Sequence, residues 1–162
     1  MRKCIDSLLP GGEDVEIIIV DDGSSDGTAA IADEYEVKYP GICRAIHQEN
    51  AGHGGAVNTG IANARGMYFK VVDSDDWLDT ESYKVVLNRL KQFRQNRKRV
   101  DMFICNYVYE HVEDGKAWKE HFEINPKLLD YGEKQAEIVD FCIIDQYGQY
   151  SSIIEKGSTC QI

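Results

Sequence analysis

Two acidic clusters, each at the end of an apolar run, hold most of the residues in this chain that could do chemistry. The first is Asp21-Asp22-Gly23-Ser24-Ser25-Asp26-Gly27-Thr28, after Ile17-Ile18-Ile19-Val20. The second is Asp73-Ser74-Asp75-Asp76-Trp77, after Tyr68-Phe69-Lys70-Val71-Val72. In a parallel α/β sheet the carboxyl ends of the strands form the ligand crevice. Carboxylates gathered there repel one another unless positive charge lies between them. A divalent metal carrying a phosphorylated ligand supplies that charge, and hard oxygen ligands suit Mg²⁺ or Mn²⁺. Residues i and i+2 of an extended segment share a face, so Asp73 and Asp75 are expected to aim at one ion. Asp22, Ser24, Asp26, Gly27 and Asp33 partly mimic a calcium loop, but a strand precedes them and position twelve is Asp33 rather than Glu. A purely structural turn accounts for Ser25, Asp26 and Gly27 as caps. It does not account for two adjacent carboxylates at a strand end.

A third segment, Asn50-Ala51-Gly52-His53-Gly54-Gly55-Ala56-Val57-Asn58-Thr59-Gly60, lies between a strand and a helix. Glycines there let backbone N–H groups approach a phosphate or sugar, and a helix N-terminus favours an anion. Small residues also permit close helix–sheet packing, so this segment alone is weak. His53 is read as exposed, with contact to a diphosphate only the minor alternative, and His47, at a strand end, as structural. His111 and His121 have no metal-ligand spacing. Trp77 could wall the site or serve as core.

The elements that must position these residues follow from punctuation and periodicity. Residues 1–9 read as the end of a helix stopped by Pro10-Gly11-Gly12. A strand over 15–21 is apolar throughout its middle and so covered on both faces. A helix over 27–38 is capped by Ser25 or Asp26 and buries Ala29, Ile31, Ala32 and Tyr35. A second strand spans 42–47, and a loop over Gly52 to Gly55 opens a small-residue helix that ends near Ala64. A third strand spans 67–73. A helix over 79–95 carries Tyr83, Val86, Leu87, Leu90 and Phe93 at spacings near 3.6, and a fourth strand spans 100–107. This alternation predicts an α/β fold with a parallel, doubly wound core. Beyond about residue 110 the pattern weakens. Residues 134–145 read as a helix with Ala136, Ile138, Val139 and Cys142 on one side, and 149–162 show no interpretable pattern.

The totals set bounds. The 162 residues suggest one domain, with 43% hydrophobic residues and a mean hydropathy of −0.42. No apolar run approaches the roughly 20 residues of a membrane span, and the start lacks an apolar stretch for a signal peptide. A cytoplasmic location, or one at the inner face of the membrane, is expected, with any membrane association made outside this chain. The formal net charge of −10 and pI of about 4.8 argue against nucleic acid as a partner, which needs a basic face. The basic run Lys91 to Arg99 is read as a solvated helix end. Five widely spaced cysteines, with Cys43 and Cys105 in apolar runs, point to core thiols in a reducing compartment, without disulfides.

Taken together and in order, the motifs resemble the family 2 glycosyltransferases of the GT-A fold. That family shows an apolar strand into V-D-D-G-S-x-D-G-T, an E-N-x-G segment, and an A-x-G-x-Y step into D-x-D-D. This chain has Ile17 to Thr28, Glu49-Asn50-Ala51-Gly52, Ala64-Arg65-Gly66-Met67-Tyr68 and Asp73-Ser74-Asp75-Asp76. The match covers residues 1 to about 108. The resemblance implies a GT-A mostly parallel sheet with flanking helices. Residues 1–110 would be the nucleotide-sugar donor-binding core and 111–162 a partial acceptor-side segment. It implies a UDP-sugar, or another nucleotide sugar, as donor, a glycan or lipid-linked acceptor, and Mn²⁺ or Mg²⁺. The donor-binding residues carried over are Asp21, Asp22, Ser24, Asn50, Gly52, Asn58 and Asp73, with base and ribose near Asp21 or Asp22. The metal residues are Asp73 and Asp75, with Asp75 the direct ligand and Asp73 supporting through ribose or water. Transfer would invert the anomeric carbon, with a carboxylate base taking the acceptor proton.

Three departures from the family pattern carry expectations of their own. The family begins with an earlier strand, central in its sheet between the strands at 15–21 and 67–73, so a gap is expected there and the chain reads as a fragment. The catalytic base is unknown: Glu113, Asp114 and Asp140 lie in the right half but do not align with a motif. Val57 stands where many relatives carry Arg. The competing readings are a sugar-phosphate nucleotidyltransferase, which would want a Gly-rich, Arg- or Lys-bearing opening strand, and an inactive nucleotide-binding relic.

Overall fold

Six residues, Ile17–Asp22, form strand β1, and their burial alternates between full and partial. Ile17 and Ile19 are buried against Ile5, Ala32, Tyr35 and Cys43. Each such isoleucine contributes about 1.5–3 kcal/mol by leaving water. The partners arrive on three elements: helix α1 (Arg2–Leu8), helix α2 (Thr28–Lys38) and strand β2 (Cys43–Gln48). Strand β2 pairs with β1 in parallel, from Ile17 opposite Cys43 to Asp22 opposite Gln48. Parallel neighbours need a crossover, and α2 supplies it.

The structure, a computed structural model, describes residues 1–98, 102–113, 116–122, 136–145 and 152–155. After β2 come helix α3 (Gly52–Asn63), the short strands β3 (Tyr68–Phe69) and β4 (Trp77–Leu78), and helix α4 (Thr80–Gln95). Strands β5 (Met102–Glu113), β6 (Lys116–Phe122), β7 (Ala136–Asp145) and β8 (Ser152–Glu155) follow. They form a second sheet of order β3-β8-β5-β7-β4, with β6 paired to β5. Within it β5 and β7 are parallel and the other pairings are antiparallel.

Helix α4 covers this sheet. Asp79 caps it by accepting from the Ser82 amide at 2.9 Å. Tyr83, Val86 and Phe93 are buried with Leu78, Phe103 and Cys105, and Leu87 and Leu90 pack beside them. All five apolar positions read from its periodicity therefore face the core. In the basic run, Lys91 pairs with Asp14 and Lys98 lies over the Phe93 ring, in keeping with a helix end. Cys4, Cys43 and Cys105 are buried free thiols. Burial pushes Cys105 up to about 12.

Strands β1 and β3 do not pair with each other: β1 bonds to β2 and β3 to β8. Between them lies a cleft of about 790 Å³, lined on one side by Glu16, Ile17 and Ile18 and on the other by Tyr68, Phe69 and Lys70. The gap expected from the sequence at this place is a real opening.

Four sequence expectations need correction. Residues 136–145 are a strand, not a helix, because β7 lies between β5 and β4 and both faces of its apolar run are sheet faces. The third strand is two residues long rather than 67–73, since the chain turns at Ser74 and Asp75. Gly52 to Gly55 form the first turn of α3 rather than a loop. Finally, the chain beyond residue 110 carries regular structure: β5 continues to Glu113 and forms a hairpin with β6, and β8 occupies part of the tail. The core is accordingly mixed rather than parallel throughout.

Candidate functional site

The carboxyl ends of β1 and β2 bring together most of the first acidic cluster and the glycine segment. Asp21, the last buried position of β1, is 5% exposed. Its Oδ1 accepts from the Ser24 amide at 3.1 Å, and its Oδ2 lies 3.0 Å from His47 Nδ1. Ser24 and then His47 hold this carboxyl below the usual carboxylate range. Asp22 points the other way along the sheet edge. Its Oδ1 accepts from the Ala51 amide at 2.8 Å and from Gln48 Nε2 at 2.6 Å, and both lower its pKa, the amide foremost. Gln48 in turn accepts from Thr59 Oγ1 of α3 through its own Oε1. Asp22, Gln48 and Thr59 thus tie β1, β2 and α3 into one network, and both carboxylates are held ionised.

The turn between them depends on Gly23. Its φ is +71°, and a Cβ there would meet the Asn50 amide nitrogen at 2.8 Å. Only glycine lets the first acidic turn lie against the backbone of residues 50–51. Asn50 Oδ1 accepts from the Gly52 amide at 3.2 Å. With Asp22 on Ala51, this satisfies two donors at the head of α3, which is why the helix starts at Gly52. Asp26 accepts from the Thr28 amide at 2.9 Å and so settles the head of α2. Ser24 is exposed, and Asn58 lies exposed on α3.

The second cluster is positioned by other means. Asp73 is half-buried and Asp75 exposed, and the Asp76 amide donates to the Asp73 carbonyl at 3.0 Å. The segment is a turn, so the strand alternation expected to aim Asp73 and Asp75 at one point does not operate. Its position is fixed from α1. Ser7 Oγ donates to the Cys4 carbonyl at 2.6 Å and accepts from the Leu78 amide at 3.0 Å. The Lys3 ammonium sits 3.0 Å from the centroid of the half-buried Trp77 ring. Cys4 beneath is pushed up to about 12 by burial and by the fields of Asp76, Asp73 and Asp75. Those carboxylates form a negative patch with only oxygen to offer, the donor chemistry of a hard divalent cation. Among the described residues no group of three or more His, Cys, Asp or Glu side chains forms a metal cluster.

Asp21, Asp22, Ser24, Asn50 and Gly52 are therefore one assembly, whereas Asp73 and Asp75 sit on a separate turn. Glu113 closes β5 and Asp140 lies within β7, while Asp114 lies outside the described residues. His47, read as structural, bonds Asp21 and Asp33, while Gln48 and Thr59 are the members that sequence reasoning missed. The only trace in the sequence is their polarity at a strand end and on a small-residue helix. Among the described residues no helix is long and apolar enough to cross a membrane.

Comparison with known proteins gives this geometry its context. The family model described as Glycosyl transferase family 2 matches residues 1–151. EpsH of Bacillus subtilis (strain 168), named a glycosyltransferase, is 40% identical over 118 residues, which are 72% of this chain and 32% of EpsH. Glycosyltransferase GlyA of Streptococcus pneumoniae serotype 4 (strain ATCC BAA-334 / TIGR4) is 29% identical over 159 residues, 92% of this chain and 22% of that protein. Chondroitin synthase of Escherichia coli is 36% identical over 91 residues, 56% of this chain and 13% of that protein. The chain thus spans about a third or less of these three relatives' length. The helix-flanked sheet, with its parallel β1–β2 pair, is the GT-A fold that this match implies. The chain belongs to glycosyl transferase family 2.

Proposed function

We propose that this chain is the donor-binding part of a metal-dependent, inverting glycosyltransferase that takes a sugar from a nucleoside diphosphate to an acceptor hydroxyl. The observation that carries the reading is the assembly at the ends of β1 and β2. Two carboxylates held ionised there stand beside the exposed first turn of α3. Asp22, oriented by Gln48 and the Ala51 amide, would accept from ribose or base N–H and O–H groups. Past Gly52, whose amide Asn50 holds, the first turn of α3 would offer backbone donors to a diphosphate. Asp75, with Asp73 in support, would hold Mn²⁺ or Mg²⁺, and phosphate oxygens of the donor would complete its shell. The ion supplies Lewis-acid neutralisation of the departing diphosphate.

The relatives' names point to sugar transfer, and one of them names chondroitin synthesis, so a glycan or lipid-linked acceptor in polysaccharide assembly fits this chain. The general base is left unassigned. A cytoplasmic setting, where nucleotide sugars are made, suits the reading.

Calorimetric titration of UDP into the chain, with and without Mn²⁺, tests it. Metal-dependent binding that is lost in Asp75→Ala and weakened in Asp22→Asn is expected. A cooperatively folded chain that binds no UDP under either condition overturns the UDP-donor reading.

A further inference from the structure

His47 stands at the crossing of three elements. It lies near the end of β2 with its side chain 42% exposed, Nδ1 3.0 Å from Asp21 Oδ2 of β1 and Nε2 2.9 Å from Asp33 Oδ1 of α2. A neutral imidazole has one N–H, so it can donate to only one of two carboxylates and sets a lone pair against the other. Only the imidazolium satisfies both contacts. The Asp21 carboxylate that it grips is the one whose other oxygen holds the Ser24 amide and closes the first acidic turn.

We propose that His47 is a positioning residue: by bridging Asp21 and Asp33 it locks the turn from Asp21 to Ser24, the edge on which a bound nucleotide would rest. The nucleotide part of this statement rests on the donor-binding reading above, whereas the lock itself does not. The bridge joins β2 to β1 and α2, and the charged groups acting on the ring are Asp21 from β1 and Asp33 from α2. Their hydrogen bonds, Asp21 first, raise the imidazole above its ordinary value of about 6.5. Asp21 is shifted the opposite way. A raised histidine contributes fully below its unfolded pKa, and its contribution is lost as pH rises through the folded pKa. A lowered carboxylate contributes above its unfolded pKa and fails as pH falls through its own folded value. The lock is therefore closed where Asp21 is ionised and His47 protonated, and it opens as pH rises through His47's raised pKa.

The test follows the imidazole signals of His47 and the hydrogen-exchange protection of the Ser24 amide by NMR. The full chain is measured from mildly acidic to alkaline pH, as wild type, His47→Gln and Asp33→Asn. UDP affinity is measured in parallel. The expected result is a His47 titration above that of free histidine, lowered in Asp33→Asn. Ser24 protection should fall several-fold with the same midpoint and be independent of that midpoint in His47→Gln. Asp33 is largely exposed, so its variant tests the bridge with little risk to folding. UDP affinity should weaken several-fold through the same midpoint in wild type alone. Ser24 protection that ignores the His47 titration overturns the lock. Tracking of Ser24 with His47 while UDP binds at no pH supports the lock and removes the donor reading.

Discussion

At the scale of single residues, the site is built from conformations and bonds that only particular side chains allow. Gly23 is the sharpest case, with its positive φ and the Asn50 amide pressed where a Cβ would stand. Gly23→Ala is expected to lower unfolding free energy by at least about 1–2 kcal/mol from the left-handed backbone alone. The contact with backbone rather than a yielding side chain should add to that. Urea denaturation would read the loss, and an unchanged midpoint would show that the turn sits elsewhere. Asp22 gives a second test through pH. Its pKa is lowered by the Ala51 amide and by Gln48, so its contribution is present above the unfolded value near 3.9 and is lost as pH falls through its folded pKa. In Asp22→Asn the acid limb of thermal stability should flatten relative to wild type, measured by melting from about pH 2 to 6. The acidic pair and the glycine were legible in the sequence as a strand-end turn dense in oxygen groups, and the structure shows both carboxylates accepting from backbone amides there. Their partners were not legible. Gln48 arrives from β2 to bond Asp22, Thr59 of α3 bonds Gln48 in turn, and nothing local marks either.

At the scale of elements, helices with a clean period were readable and short strands were not. Helix α4 was found at nearly its observed bounds because its core positions recur near 3.6 residues and Asp79 caps it. It also carries the largest single packing prediction. Phe93 is 3% exposed, and its ring lies 6.1 Å from that of Phe103, tilted by 60°. Phe93→Ala should cost about 3–5 kcal/mol, and Asp79→Ala about 1 kcal/mol. The ratio matters more than either value: a cap loss equal to the core loss would mean that α4 is held by its end rather than by its face. The misreading of β7 has a physical cause. A run such as Ile143-Ile144, paired with β5 on one edge and β4 on the other, is a short continuous apolar stretch that periodicity alone does not separate from a buried helix segment. The D-x-D turn was misread for a related reason. An apolar run predicts where a strand begins, but Leu78, just past the turn at Ser74 and Asp75, is held to α1 by Ser7, 71 residues away in sequence.

At the scale of the whole molecule, the two sheets meet across the cleft between β1 and β3, and the backbone there dictates a pattern that can be measured. The Ile17 amide donates to the Ile42 carbonyl at 2.7 Å, on the β2 side. Backbone donors alternate between the two edges of a strand. The amides of Ile19 and Asp21 therefore also face β2, and those of Ile18 and Val20 face away from it. On that outer side β1 has no strand partner in either sheet among the described residues, and the cleft opens beside Ile17 and Ile18. Side-chain burial follows the same parity: Ile17, Ile19 and Asp21, whose amides face β2, are buried, and Ile18 and Val20, whose amides lie on the outer edge, are half-buried. Hydrogen exchange should then split β1 by parity: Ile19 and Asp21 exchange only when β1 leaves β2, and Ile18 and Val20 exchange by smaller local openings. Equal protection along the strand would show the outer edge bonded and the cleft closed in solution. The expected alternation would establish that β1 presents an open edge next to the residues that hold Asp21 and Asp22 in place. An extended apolar peptide that filled the cleft would then slow Ile18 and Val20 selectively and leave Ile19 unchanged.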